Sequence, residues 1–374
     1  MSRADKKAFL YMDVYETIKQ SIIAQELKGE QKLSSEDEMA LQYHVSRITV
    51  KKALELLKAD GYIDRVQGRG TFVRSDWPRN FERRESILPK RKLIGLLLEH
   101  VASPFGLDVL YKLDQLLNEA GYTLLIRFSY GSVDKESEEI NALLSLGIQA
   151  LITMPCHNSY YNMTILKLIL DQFPLLLMDK RMYVLPVPSV CTDGKAAIQR
   201  LVAHLQDCGC KNAALVTIDP SSTTSLSDRV NGFYQGLHET GITCAGECVL
   251  PKRTENLLSE AQEPAYLAHM ERFLHSFEKM PDAIVLTEYA LARFLYIVAA
   301  KQGMQPGKEF MACCIDEDYL SPGGYVYTHM RQDENTIAER LVEILLKLIA
   351  GEAVSLEPVW VPAIFRLGAT TSVR

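Results

Sequence analysis

From residue 92 onward the chain repeats one unit, a short and wholly apolar run followed by a longer stretch with apolar residues at helical spacing. "KLIGLLLEH" reads as a buried strand, "FGLDVLYKLDQLLNEAGY" as an amphipathic helix ending at Gly121, and "TLLIRFS" as the next strand. The series runs on through helix "SVDKESEEINALLSLGI", strand "QALITMPC", helix "MTILKLILDQ", strand "PLLLMDKR" and helix "KAAIQRLVAHLQDCG", then to strand "EFMACCID". Strands apolar on both sides must be covered on both faces, and strands separated by helices run parallel. The pattern therefore predicts an α/β body with parallel sheets, in more units than one small sheet holds. No G-x-G-x-x-G follows the first strand, so a dinucleotide-binding fold has no support.

Residues before 77 follow a different pattern. "VYETIKQSIIAQEL" places Val14, Ile18, Ile22 or Ile23, and Leu27 on one helical face. Ser35 and Glu38 stand at capping-box spacing before a short helix that ends near Tyr43. Ser46 can cap a further helix through "RITVKKALELLKAD", with Val50, Ala53, Leu54 and Leu57 as its buried face and Gly61 as its stop. Two helices joined by a tight turn, the second opening on small polar and basic residues, describe a helix-turn-helix. "YIDRVQGRGTFV" follows as two strands around turn glycines, a hairpin in the position of a wing. Residues 77–91 carry prolines and charges without periodicity and read as a linker.

Charge is divided along the same line. Residues 1–91 carry 18 Lys+Arg against 14 Asp+Glu, a small positive surplus, whereas the remainder is net −10. A basic head on an acidic body implies that only the head meets a polyanion. The eight cysteines are scattered without a C-x-x-C, Cys208 and Cys210 being the nearest to a pair, so free thiols are expected, with no metal site and no cofactor. "MSRADKKAFLYMDVYETIK" lacks the apolar core of a signal peptide, and no apolar run approaches the ~18 residues of a membrane span. The expectation is a soluble cytoplasmic protein that does not contact the membrane.

The head is specific enough to resemble a family. "KLSSEDEMALQYHVSRITVKKALELLKADGYIDRVQGRGTFV" resembles, without a gap, the winged helix-turn-helix of GntR-type bacterial transcription regulators. The resemblance implies double-stranded operator DNA as partner, with the start of the 46–60 helix in the major groove. Arg47 would read a base through its planar fork, Ser46 and Thr49 would touch phosphate or base, and Lys51 would hold a phosphate. Gln67, Gly68 and Arg69 would make the wing contact in the minor groove. Asp37 departs from the pattern, standing where the family often has a DNA-contacting basic or polar residue; Lys51 stands where Arg is frequent.

The body resembles the LacI/GalR-type effector domain, a two-lobed fold of the periplasmic sugar-binding type. The motifs that carry this are "LLLMDKR", "SVCTDGKAAIQRLVAHLQDCGCKNAALVT", "DRVNGFYQGL" and "CCIDEDYL". The combination is the architecture of the arabinose repressor group. Crossings near 191–193, 328–332 and 352–356 would divide 92–374 into lobes of 92–191 plus 331–352 and 193–329 plus 355–374, with ligand between them. By position, the resemblance implies effector contacts from Ser103, Phe105, Arg127, Asp179, Arg181, Arg229, Tyr289 and Asp316. Asp193 is expected as a hinge or cap. Gln332 and Asp333 stand where proline is usual, and Glu288-Tyr289 departs from the family's small polar residue and Asp.

The expected function is a homodimeric transcription regulator, a repressor released from DNA by a small sugar. The alternative is a solute- or sugar-binding protein of a transport or sensing system. No G-x-S-x-G or H-E-x-x-H is present, and no enzyme is expected.

Overall fold

A computed structural model describes residues 3–66, 69–75, 92–101, 105–156, 162–182, 185, 187–252, 263–316 and 326–371, with 3–10 described for backbone alone. The chain divides into two compact units, 1–91 and 92–374.

In the first unit, α1 (Arg3–Ile23), α2 (Glu36–Gln42) and α3 (Arg47–Ala59) precede the antiparallel strands β1 (Ile63–Val66) and β2 (Gly70–Val73). The core holds Val14, Tyr15, Ile18, Ile22, Met39, Val50, Leu54, Leu57 and Ile63. Ile22 is the buried member of the Ile22–Ile23 pair, because it continues the stripe of Val14 and Ile18. The capping box of α2 is complete: Ser35 N donates to Glu38 Oε2 at 2.7 Å and Glu38 N donates back to Ser35 Oγ at 3.3 Å. Ser46 caps α3 by accepting from Thr49 N at 3.2 Å. The wing pairs Ile63 with Val73 and Val66 with Gly70, and Lys32 adds a bridge beside Phe72.

The second unit has two six-stranded sheets. The first lobe contains β3 (Lys92–Leu98), α4 (Leu107–Glu119), β4 (Tyr122–Phe128), α5 (Val133–Ser145), β5 (Ala150–Thr153), α6 (Met163–Leu170), β6 (Leu175–Met178) and β7 (Ser189–Thr192). The chain then crosses into the second lobe, through α7 (Gly194–Asp207), β8 (Asn212–Ile218), α8 (Thr224–Thr240), β9 (Thr243–Leu250), α9 (Glu263–His275), β10 (Ala283–Leu286), α10 (Tyr289–Lys301), β11 (Met311–Ile315) and β12 (Thr328–Arg331). It returns with α11 (Glu334–Ile349), whose Ile337, Leu341 and Leu345 join the first-lobe core of Leu96, Val109 and Leu113. The last strands are β13 (Val359–Val361) and β14 (Ile364–Arg366).

The first sheet is parallel throughout, in the order β13-β7-β6-β5-β3-β4; the second runs β14-β12-β11-β10-β8-β9, with only β14 antiparallel. One boundary differs from the sequence expectation. The third crossing falls between β13 and β14, not at 352–356, because Val359–Val361 pairs with Val190–Thr192 and buries Val361 in the first-lobe core. The part of the second lobe read as 355–374 therefore starts beyond residue 361.

Candidate functional site

In the first unit, helix α3 presents its N-terminal turn to solvent. Arg47 is 65% exposed and lies against the acidic start of α2, with Nε 3.2 Å from Glu36 Oε2 and Nη1 3.4 Å from Asp37 Oδ1. Arg65 on β1 donates to the other oxygen of Glu36. Burial alone would push Glu36 up, but the hydrogen bonds from Arg47 and Arg65 hold it below the usual carboxylate range. The paired guanidinium groups of the turn and the wing thus share one carboxylate on a surface that is otherwise open.

The other head residues occupy different positions. Ser46 is exposed but already serves as the cap, and Thr49 is buried with its hydroxyl 2.8 Å from Ser46 Oγ. That placement corrects the expectation of direct DNA contact by Thr49: its β-branched side chain faces the core and its hydroxyl fixes the cap. Lys51 and Arg69 are exposed, and Lys52 lies over the Tyr11 ring at 4.1 Å. Gln67 and Gly68 lie outside the described residues. Pattern reading missed Arg65, Glu36 and Ile48. Ile48 is 78% exposed immediately after Arg47, an apolar side chain of the kind that meets a thymine methyl, and only its place off the buried stripe distinguishes it in the sequence.

In the second unit a cleft of about 200 Å³ opens at strand C-terminal ends of both sheets. Phe105, Asp179, Arg229, Tyr289 and Asp316 all line it. Asp179 follows β6 and Asp316 follows β11, and both adopt left-handed backbone, with φ of 63° and 62°. Aspartate tolerates that region better than most residues, though at a cost, and such strain gathers where geometry serves a site.

Asp316 is 6% exposed. Burial pushes its carboxyl up to about 6, against the pull of Arg229 and of the hydrogen bonds from Gln332. Gln332 N donates to Oδ1 at 3.0 Å and Gln332 Nε2 to Oδ2 at 2.7 Å, while Thr192 Oγ1 donates to Gln332 Oε1 at 2.5 Å. One chain of bonds therefore joins the cleft carboxylate to two of the crossings between lobes.

Arg229 on α8 is 7% exposed and packs against Gly194, where a Cβ would stand 3.1 Å from its Cγ. Its Nη1 donates to Thr287 O at 2.9 Å, but its buried Nε has no hydrogen-bond partner among the described residues. A buried guanidinium with unmet donors is costly unless something else supplies the acceptor.

The remaining expected contacts lie elsewhere or outside the description. Arg181 does not line the cleft: its Nη2 binds Asp228 at 2.7 and 2.9 Å and its guanidinium lies 5.1 Å from the Trp360 ring. Met178 and Lys180 line the cleft instead, since Asp179 redirects the backbone at the strand end. Arg127 is also no cleft residue. It sits at the end of the edge strand β4, half-exposed, with Nε 3.5 Å from Glu139. Ser103 lies outside the described residues. Asp193 caps α7 by accepting from Ala196 N at 2.9 Å.

Glu99, Lys180 and Glu334 were not singled out from sequence. Glu334 accepts from Gly106 N at 2.8 Å and Val109 N at 3.1 Å, and so supplies from α11 the cap that Gly106 cannot give α4. That holds Gly106, next to the cleft residue Phe105, against α11.

Among the described residues no group of histidine, cysteine or carboxylate side chains could hold a metal ion, and no helix is long and apolar enough to cross a membrane.

Comparison with known proteins gives both units. Residues 10–73 match the model for bacterial regulatory proteins of the gntR family, and residues 91–317 match the model for periplasmic binding proteins and the sugar-binding domain of the LacI family. The chain is 24% identical over 350 residues to an arabinose metabolism transcriptional repressor of Geobacillus stearothermophilus, covering 92% of each chain. It is also 24% identical over 314 residues to one of Halalkalibacterium halodurans, covering 82% of this chain and 81% of that one. In fold it is similar to the transcription regulator CcpA of Lactococcus lactis, with a TM-score of 0.64 and 18% identity over 76% of this chain and 100% of that one.

Proposed function

The chain belongs to the family of periplasmic binding proteins and LacI-type sugar-binding domains, joined to a gntR-type head, and from that membership we propose a repressor released from operator DNA by a small sugar. The observation that carries the reading is Arg229, a buried guanidinium in the cleft whose Nε lacks a partner among the described residues, beside a buried carboxylate, Asp316. A polyhydroxylated ligand supplies an acceptor for the one and donors for the other. Phe105 and Tyr289 add apolar surface for ring C–H groups. Asp179 belongs to the same proposed effector set.

On the DNA side, Arg47 reads a guanine edge in the major groove, Ile48 meets a thymine methyl, and Lys51 and Arg69 hold phosphates. Ser46 contributes as the cap that fixes the turn. The protein acts as a homodimer on a near-palindromic site, whose symmetry it matches. Sugar binding lowers DNA affinity by the difference between its affinities for the released and DNA-bound forms.

A thermal-shift panel of pentoses, hexoses and sugar phosphates tests the sugar half of this reading. A ligand specific for the folded protein adds about 2.7 kcal/mol of stability at 100 times its dissociation constant. The proposal expects at least one upward shift, and a panel without any shift refutes a sugar effector. The alternative of a solute-binding protein outside gene regulation has against it the complete winged head.

A further inference from the structure

The cleft holds a second carboxylate–cation couple, on the first lobe. Lys180 follows β6 and is 4% exposed; Glu99 follows β3; both line the cleft. The Lys180 ammonium donates to Glu99 Oε2 and, at 3.2 Å, to Pro155 O. Its remaining N–H has no acceptor among the described residues, although the side chain is almost wholly buried. A buried ammonium that leaves a donor unused is expensive, and the cleft is the space it faces.

We propose that Glu99 and Lys180 are the first-lobe half of the effector site, and that they select an uncharged polyhydroxylated ligand against phosphorylated or carboxylated sugars. The inference rests on the sugar-effector reading and deepens it. One hydroxyl donates to Glu99 while its oxygen, or that of a neighbouring hydroxyl, accepts from Lys180. Asp316 and Arg229 do the same from the second lobe. A ligand so held joins the two lobes through charge-assisted hydrogen bonds, each stronger than its neutral counterpart.

Discrimination follows from charge. Glu99 already compensates Lys180, and the cleft also carries Asp179, Glu288 and Asp316 against Arg229, Lys252 and His100. With histidine neutral, carboxylates outnumber cations by one among the described lining residues. An added phosphate or carboxylate therefore meets no surplus positive charge and sits near several negative ones.

The test measures binding by calorimetry for neutral aldopentoses and aldohexoses, their phosphates and the corresponding aldonic acids, on the full chain. Wild type is compared with Glu99→Gln and Lys180→Met. Wild type should bind a neutral sugar and bind its phosphate and acid at least about tenfold more weakly. Glu99→Gln should weaken the neutral sugar by about tenfold or more and shift the preference toward the anionic analogues, because Lys180 is left uncompensated. Lys180→Met should weaken the neutral sugar without that shift.

Because a buried pair is being broken, each variant is scored only beside its melting temperature, and the direction of the Glu99→Gln preference is a readout that general destabilisation does not produce. Wild-type binding of a neutral sugar with both variants unaltered overturns the assignment of Glu99 and Lys180 while leaving the sugar-effector reading intact. Preference for a phosphate or acid in wild type overturns the selectivity. No binding of any panel member by wild type overturns the sugar-effector reading and this inference with it.

Discussion

Arg47 in the head and Arg229 in the cleft both act beside carboxylates, yet one is 65% exposed and the other 7%. Arg47 shares Glu36 with Arg65 and reaches Asp37 across open solvent. Exposed pairs of that kind are worth ~0–1 kcal/mol each and are screened by salt, so their partners can be exchanged for phosphate or guanine at little cost. Arg229 has given up its water and received one carbonyl in return. Its environment makes any suitable acceptor valuable, and makes the site sensitive to shape and protonation more than to salt. The same chemistry therefore suits the exchange of an exposed polyanion in one unit and the proposed capture of a small molecule in the other, and burial separates the two.

The largest expected effect is on the head's own core. Leu54 is fully buried there, and Leu54→Ala should cost about 2–5 kcal/mol. Calorimetry should show the melting of residues 1–91 lowered and that of the body in place; a common drop in both would mean that the two units unfold as one.

The next effect concerns pH. Asp316 titrates near 3.8 unfolded and is pushed up to about 6 by burial. Folded, it holds its proton more tightly than unfolded. Its contribution to stability is therefore fully present below about pH 4, is lost as pH rises toward about 6, and is constant above. The gap is worth about 3 kcal/mol. Asp316→Asn should remove that part of the pH slope from chemical denaturation of the body, and an identical slope in both proteins would contradict the assignment. Glu36 in the Arg47 cluster, held below the usual carboxylate range, should contribute with the opposite sign, its stabilisation being lost as pH falls through that range.

Arg47→Ala should cost about 1–3 kcal/mol in DNA binding and relax selection at one base position, measured with a randomised duplex library. A uniform loss over all sequences would make Arg47 a phosphate contact. Smallest, Lys51→Ala should lower the salt dependence of binding by about one phosphate contact. An unaltered slope would remove Lys51 from the interface.

How much of this was readable in advance also divides along the two units. The head's caps are local: Ser35 and Glu38, or Ser46 and Thr49, lie three residues apart, so spacing alone places them, whereas Glu36 and Arg65, 29 residues apart, meet only through the fold. In the body, the wholly apolar strands and their helices were legible, but the edges were not. Strand β9, "TCAGECVL", is mostly exposed, carries a register shift against β8 and holds Gly246, so it lacks the buried-strand pattern. Strand β13 is three residues long and was placed in the wrong lobe for that reason.

Motif positions bring Asp179, Arg229 and Asp316 to the cleft, but Lys180 lines it where Arg181 was expected, because the left-handed turn at Asp179 cannot be read from alternation. Arg127 stands at a strand end in the sequence, but nothing in the residue pattern shows that β4 is the sheet edge. Glu99 and Lys180 are 81 residues apart and meet only because β3 and β6 end on the same side of one sheet.

The proposed role of Arg229, to hold the sugar that releases the head from DNA, is read out by a release experiment. A duplex selected from a randomised library is bound by wild type and by Arg229→Ala, and each complex is titrated with the sugar that stabilises the wild type. The two proteins should bind the duplex equally without sugar; sugar should release the wild type, and Arg229→Ala should stay bound. Equal release of both proteins by the sugar would contradict that role.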